Sequence, residues 1–124
     1  MDLGLHGQQV TTQSFDYTVS FQTSGGYELR IENDYTLHTP HGSWNFSPEP
    51  SNEDSQELAA LADQRIDHAA VSSDGTLTVK FATGSELRVQ ASPSYEAWTV
   101  AGPRGMKVVC MPGGELATWK ATDA

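Results

Sequence analysis

The chain has 124 residues, of which 37% are hydrophobic, and this matches one domain with a single core. Sixteen acidic residues against seven basic ones give a net charge of -9, which argues against a phosphate-tracking surface, so neither DNA nor RNA is expected as a ligand. The single cysteine excludes an intrachain disulfide. No apolar run approaches the roughly 20 residues of a membrane span, and residues 1–10 lack the pattern of a signal peptide. We therefore expect a cytoplasmic protein with no membrane partner.

The first half of the chain predicts a series of strands. Apolar and polar residues alternate over residues 15–21 and again over residues 27–31, the period of strands with one buried face. Gly25-Gly26 lies between the two runs and predicts a hairpin. Two further strands are predicted over residues 35–39 and 43–46, separated by a Pro-His-Gly turn.

A helix is predicted over residues 51–64. Ser51, followed three residues later by Asp54, is typical of an N-terminal capping box. Leu58 and Leu61 recur at helical spacing and are expected to face the sheet, whereas the acidic residues of the first turns stay in water.

The second half predicts another hairpin and a meander. Residues 66–72 have strand character, and Asp74-Gly75 predicts a tight turn into a hairpin with arms over residues 77–81 and 86–90. Glycine- and proline-rich turns then separate three further predicted strands, which cover residues 95–101, 106–111 and 115–120.

The two hairpins also resemble one another in sequence. Val19-x-Phe21, Glu28-Leu29-Arg30-Ile31 and Tyr35 match Val79-x-Phe81, Glu86-Leu87-Arg88-Val89 and Tyr95, at an offset of about 60 residues. This indicates two related β-units on either side of the helix. The alternative is chance, since strand-turn-strand patterns resemble one another for physical reasons alone.

No motif with a defined catalytic mechanism occurs in the chain, which disfavours an enzyme. His38 and His41 flank a proline turn and would need further ligands, such as Glu32, Asp34, His6 or His68, to hold a metal ion. Exposed turn histidines are the favoured interpretation, so no metal and no cofactor is predicted. Cys110 is interpreted as a buried structural thiol, and the Glu53/Glu57 pair as ordinary first-turn acids instead of a general acid and base.

The charge is distributed unevenly along the chain. Nine acids and two bases lie between Glu28 and Asp67, whereas three acids and five bases lie between Lys80 and Lys120. An acidic lobe of this kind can steer a basic protein toward its surface. The alternative is simple solvation of a helix and loops. The candidate acidic contacts are Glu49, Glu53, Asp54 and Glu57.

The C-terminal strands have apolar residues on both faces, so something must cover each face. Trp98 and Trp119 are the expected anchors if the cover is a partner protein, because tryptophan is enriched at binding hot spots. Packing of these side chains in the core is the favoured alternative.

Tyr95-Glu96-Ala97-Trp98, Gly102-Pro103 and Pro112-Gly113-Gly114-Glu115-Leu116-Ala117-x-Trp119 resemble a family of small uncharacterised actinobacterial proteins. The resemblance covers roughly the last 50 residues well. It implies a cytoplasmic bacterial protein with a β-rich domain and supplies no catalytic residue. The glycines and prolines of these motifs are explained as turn formers.

The predicted fold is α+β: one domain over residues 1–124 with a mainly antiparallel, bent sheet or split barrel of about eight strands. Two hairpin-based units, residues 10–46 and 66–120, form the sheet, and the helix packs across it.

Three functional hypotheses remain open. The first is a non-enzymatic protein-binding domain, most concretely an immunity- or antitoxin-type inhibitor of a basic toxin. The second is a small-molecule-binding or hydrolytic domain with a pocket lined by Tyr35, Trp44, Tyr95 and Trp98 and with His38 and His41 as polar groups. The third is a homodimer that buries Trp98 and Trp119.

Overall fold

The computed structural model describes residues 1–122, in which two antiparallel β-sheets enclose one hydrophobic core. One sheet has the strand order β1-β2-β3-β9-β10-β11, and the other has the order β5-β4-β8-β7-β6. The strands are β1 (Val10–Phe15), β2 (Val19–Thr23), β3 (Glu28–Ile31), β4 (Tyr35–Thr39), β5 (Gly42–Phe46), β6 (Ile66–Val71), β7 (Leu77–Phe81), β8 (Glu86–Val89), β9 (Trp98–Ala101), β10 (Lys107–Cys110) and β11 (Leu116–Trp119).

The mainly antiparallel architecture with one short helix confirms the coarse prediction, but the bent sheet or split barrel of about eight strands was imprecise. The described chain has eleven strands in two sheets, and neither sheet closes into a barrel. The predicted strand over residues 15–21 is in fact a hairpin, because the chain turns at Asp16, whose Oδ1 accepts a hydrogen bond from the N–H of Tyr17 at 2.9 Å. The side chain of Tyr17 is 76% exposed at the tip of this turn. Apolar and polar residues continue to alternate through this turn, so the sequence pattern does not mark it.

The helix predicted over residues 51–64 is much shorter in the structure. A 3₁₀ turn spans Pro50–Asp54, and the α-helix α1 spans only Gln56–Ala59. Ser55 interrupts them with extended backbone and caps α1, because its Oγ accepts a hydrogen bond from the N–H of Leu58 at 3.1 Å. Leu58 and Leu61 are buried, as predicted. No helix within residues 1–122 has the length and apolar character needed to cross a bilayer.

The two halves of the chain repeat the same strand register. In the β2–β3 hairpin Val19 pairs with Ile31, and in the β7–β8 hairpin Leu77 pairs with Val89. Each first strand, β1 and β6, carries a register shift at its start, between residues 10 and 12 and between residues 66 and 68. The similarity in sequence is therefore accompanied by a similarity in structure. By strand register Val19 is equivalent to Leu77, whereas the sequence match aligned it with Val79.

The two halves exchange their later strands. After β3 the chain crosses to the other sheet, where Tyr35 of β4 pairs with Val89 of β8. After β8 it crosses back, and Trp98 of β9 pairs with Ile31 of β3. Tyr35 is thus structurally equivalent to Trp98, whereas the sequence match pairs it with Tyr95. Each half completes the sheet of the other.

A close contact joins the two sheets: Gly75 lies between β6 and β7, and Gly114 lies between β10 and β11. A Cβ placed on Gly75 would lie 2.6 Å from the Cα of Gly114, and a Cβ on Gly114 would collide with the carbonyl oxygen of Asp74. The carbonyl oxygen of Gly75 accepts a hydrogen bond from Nε1 of the fully buried Trp98 at 3.0 Å. The glycines of the Pro112-Gly113-Gly114 motif therefore have a packing role as well as a turn role.

Candidate functional site

The segment from Glu49 to Glu57, here called the acidic segment, is fixed to the body of the domain by buried polar contacts. The side chain of Asn52 is only 4% exposed; its Oδ1 accepts a hydrogen bond from the hydroxyl of Tyr35, and its Nδ2 donates to the carbonyl oxygen of Ser47 at 3.2 Å. Nε2 of Gln13 on β1 donates to the carbonyl oxygen of Leu58 at 2.7 Å. The backbone that carries the acids is therefore held in one arrangement.

The hydroxyl of Tyr35 is held in its neutral form. Burial raises the pKa of Tyr35 well above its ordinary value, and the negative charge of Glu49 raises it further. A neutral phenol is the form that donates to Asn52, so the environment favours the anchoring hydrogen bond.

Four carboxylates of the acidic segment face solvent without a basic partner. Glu49, Glu53 and Asp54 are exposed and Glu57 is half-buried. The ion pairs found within residues 1–122 join Arg30 to Glu28, Arg88 to Glu86 and His68 to Asp2, and none reaches the acidic segment. Its nearest polar contacts are serine hydroxyls: Ser51 donates to Glu49 at 2.6 Å and Ser55 donates to Glu57 at 3.3 Å.

A cleft of about 480 Å³, here called the Trp44 cleft, opens beside the acidic segment. The cleft is lined by the turn between β4 and β5 with the half-buried indole of Trp44, by α1 and the residues after it, and by the turn between β7 and β8. The lining residues are Thr39, Pro40, His41, Trp44, Gln56, Glu57, Ala60, Gln64, Thr83 and Ser85. Its volume lies in the range of ordinary ligand sites.

Two polar side chains of the cleft lining, Gln64 and Thr83, are already engaged with each other. Thr83 Oγ1 donates to Gln64 Oε1 at 2.6 Å, and Gln64 Nε2 donates to the carbonyl oxygen of Ala60 at 2.5 Å. Among the lining residues Glu57 is the only carboxylate, and no lysine or arginine lines the cleft. The cleft therefore presents one indole, one carboxylate and the imidazole of His41 to whatever enters it.

The aromatic pocket predicted from the sequence does not assemble. Tyr35 is buried and stacks on Phe46 with ring centroids 5.3 Å apart, and Trp98 lies in the core. The exposed Tyr95 donates its hydroxyl to Asn33 Oδ1 at 2.8 Å. His38 alternates with the inward-facing Leu37 and so lies on the outer face of its sheet, where its Nδ1 lies 2.8 Å from Ser43 Oγ. Of the predicted pocket residues, Trp44 and His41 share the Trp44 cleft.

The two predicted tryptophan anchors have different environments. Trp98 is 0% exposed and cannot contact a partner, so that part of the prediction was wrong. Trp119 is 52% exposed on the edge strand β11, with Nζ of Lys107 at 5.6 Å from its ring centroid. The 3₁₀ turn of the acidic segment packs against β1, at the opposite edge of the six-stranded sheet. Five strand spacings, about 24 Å, separate these edges, so Trp119 and the acids do not form one patch.

The histidines are dispersed. Nδ1 of His6 lies 2.6 Å from the carbonyl oxygen of Asp67, and His68 lies near Asp2. Within residues 1–122 no group of three or more metal-ligating side chains comes together. Cys110 is buried, and burial raises the pKa of its thiol, which disfavours the reactive thiolate.

Sequence reasoning places Glu57 with the acids and Trp44 with the pocket, and the structure brings the two together. Gln56, Gln64, Thr83 and Ser85 were not predicted as site residues. They carry no local motif, and their juxtaposition depends on the approach of the β7–β8 turn to the residues after α1, as in the hydrogen bond from Thr83 to Gln64, which only the tertiary fold creates.

Comparison with curated proteins and with solved structures found no match. Comparison with family models found a match over residues 1–120, which extends well beyond the C-terminal motifs of the sequence-based resemblance. The chain therefore belongs to a family of unknown function, DUF6188.

Proposed function

We propose that this chain is a protein-binding domain that recognises a basic protein surface through the acidic segment. Its most concrete form is an immunity- or antitoxin-type inhibitor of a basic toxin, in an actinobacterial cytoplasm. The observation that carries the proposal is the combination of four carboxylates that form no ion pair within residues 1–122 and a backbone anchored by Asn52 and Tyr35.

The anchored backbone matters because binding has an entropic cost. A surface already held in one arrangement loses less conformational entropy on association than a mobile loop does. Carboxylates that are not engaged with internal bases keep their full charge for a partner, and such charge raises the association rate at low ionic strength. Both properties favour fast recognition of a basic surface.

The proposal is tested with two charge variants that remove the same number of acids. The first, E49Q/E53Q/D54N/E57Q, neutralises the acidic segment, and the matched control, E32Q/D67N/E96Q/E115Q, neutralises four exposed acids elsewhere. Wild-type protein and both variants are used to capture proteins from the source bacterium at low salt, and the captured basic protein is then purified for association kinetics. We expect association to slow by about tenfold with the first variant and to stay near wild type with the control.

An equal effect of the two variants would show that only net charge matters, and the acidic segment would then have no specific role. An association rate that stays at the wild-type value in the first variant would contradict the proposal directly.

The small-molecule alternative retains the Trp44 cleft as its one supporting observation. A thermal-shift screen with metabolites tests this alternative, since a ligand at 100 times its dissociation constant adds about 2.7 kcal/mol to the free energy of unfolding. The homodimer alternative loses its Trp98 contact because that side chain is buried. A monomeric mass in light scattering would exclude the homodimer.

A further inference from the structure

We infer that the Trp44 cleft binds one basic side chain of the partner protein, an arginine or a lysine, between the indole of Trp44 and the carboxylate of Glu57. This inference rests on the proposed function and adds to it a single contact of defined chemistry.

The lining of the cleft favours a cation over other occupants. An aromatic ring attracts a cation through the negative potential of its face, and Trp does so most strongly. A carboxylate forms charge-assisted hydrogen bonds with guanidinium and ammonium groups. The cleft supplies one group of each kind; no lysine or arginine lines it, and His41 is its one basic side chain.

The exposed Trp119 shows what an occupied site looks like in this protein. Trp119 already has the ammonium group of Lys107 over its ring at 5.6 Å. No equivalent internal cation lies over Trp44 within the part of the chain that the structure describes. Trp44 is therefore free to accept a cation from outside.

The position of the cleft favours a protein as the source of the cation. Glu57 belongs both to the cleft and to the acidic segment, and the exposed Glu53 and Asp54 precede it by four and three residues in the chain. A basic protein surface seated on these exposed acids would bring its side chains to the mouth of the cleft. A free small cation in the cleft would make no direct contact with the carboxylates outside it.

The first test uses a small probe and NMR. N-acetylarginine amide is titrated into the full chain while the indole N–H resonances are followed, and the uncharged isostere N-acetylcitrulline amide is the matched probe. We expect a saturable shift of the Trp44 resonance with the arginine compound only, with Trp98 and Trp119 as internal controls. Glu57→Gln is expected to weaken this binding by about tenfold. Absence of a saturable shift, or equal binding of the citrulline compound, would overturn the inference.

The second test uses the captured partner and separates the inference from the proposed function. Trp44→Leu and Glu57→Gln are each expected to raise its dissociation constant by about tenfold, with Trp119→Phe as the control that leaves it unchanged. If the acidic segment is needed for capture but neither substitution changes the dissociation constant, the proposed function stands and the inference is wrong. If the arginine compound binds but no captured protein depends on the acidic segment, the cleft is a site for a free guanidinium compound, and the protein partner is excluded. Should Trp44→Leu fail to fold, Glu57→Gln alone decides, because its carboxylate is only half-buried.

Discussion

The two halves of this protein share one backbone plan and differ in the segments that extend it. Both contain a bulged strand, a hairpin with the same register and a strand that crosses to the opposite sheet. After β5 the first half continues into the acidic segment and α1, whereas after β10 the second half continues into Pro112–Gly114 and β11. The repeated part forms the core, and the unrepeated parts carry the surface features that distinguish this chain.

The difference also shows at equivalent buried positions. Tyr35 and Trp98 each begin a crossing strand, and each donates one hydrogen bond from its side chain. The hydroxyl of Tyr35 anchors Asn52 in the acidic segment, whereas the indole of Trp98 anchors Gly75 in a turn. The same scaffold position thus supports the candidate binding surface in one half and a structural junction in the other.

The largest expected loss of stability comes from the close contact between Gly75 and Gly114, both of which belong to the second half. Gly114→Ala places a methyl group against the carbonyl oxygen of Asp74, at a backbone φ of +95°. We expect a loss of about 3 kcal/mol or more in the free energy of unfolding, measured by urea denaturation, because both strain and a steric clash oppose the variant. Gly113→Ala is the control, since its φ is +87° and its Cβ would meet nothing within 4 Å. If the two variants lose equal stability, the close packing has no energetic role.

The second comparison is between a buried and an exposed tryptophan. Trp98→Phe removes the donor to Gly75 and leaves unfilled space in the core, which is expected to lower the free energy of unfolding by about 2–3 kcal/mol. The exposed Trp119→Phe is expected to cost less than about 1 kcal/mol. Urea denaturation of both variants measures the difference, and a similar loss in the two would contradict the assignment of Trp98 to the core.

Tyr35→Phe tests the first-half position and has a smaller expected effect. The variant removes one buried hydrogen bond of Asn52, whose Nδ2 keeps its bond to Ser47, so a loss of about 1.5 kcal/mol is expected. Amide hydrogen exchange should also accelerate across the acidic segment. Unchanged exchange there would show that Asn52 does not depend on Tyr35.

The same variant makes a prediction about alkaline pH. Burial, with Glu49 adding to it, raises the pKa of Tyr35 in the folded state, so folding favours the neutral phenol. This contribution to stability is complete below the unfolded pKa of about 10 and is lost as the pH rises above it. Above that pH the free energy of unfolding of the wild-type protein is therefore expected to fall more steeply than that of Tyr35→Phe. Parallel losses in the two proteins would show that the pKa of Tyr35 is not raised by folding.

Local patterns predicted most of the strands, although they missed the turn between β1 and β2, and they predicted the long-range arrangement poorly. Alternation located β4 at its observed bounds and Asp74-Gly75 marked the β6–β7 turn, because both signals depend on neighbouring residues. The exchange of β4 and β9 between sheets depends on which hairpin each strand meets, and no local pattern encodes that. For the same reason, the sequence assigned Trp44 to a predicted pocket and Glu57 to a predicted acidic surface, although both line the Trp44 cleft.

The smallest effect comes from a close structural correspondence between residues of different type. The N–H of Gly7 donates to the carbonyl oxygen of Ile66, and the N–H of Asp63 donates to the equivalent oxygen of Val10, both at 2.8 Å. Both residues have left-handed backbone, with φ of +83° at Gly7 and +65° at Asp63. Glycine adopts this conformation without steric cost, whereas a residue with a Cβ is strained in it.

Asp63→Gly is therefore expected to raise the free energy of unfolding by about 0.5 kcal/mol, since relief of strain slightly exceeds the greater entropy that glycine has in the unfolded chain. The reciprocal Gly7→Asp is expected to lower it by about 1 kcal/mol, although a Cβ there would meet nothing within 4 Å. Urea denaturation of both variants measures the two changes. Opposite signs would show that the halves keep one backbone conformation and differ only in how well each sequence fits it, whereas a loss in both variants would assign Asp63 a role of its own.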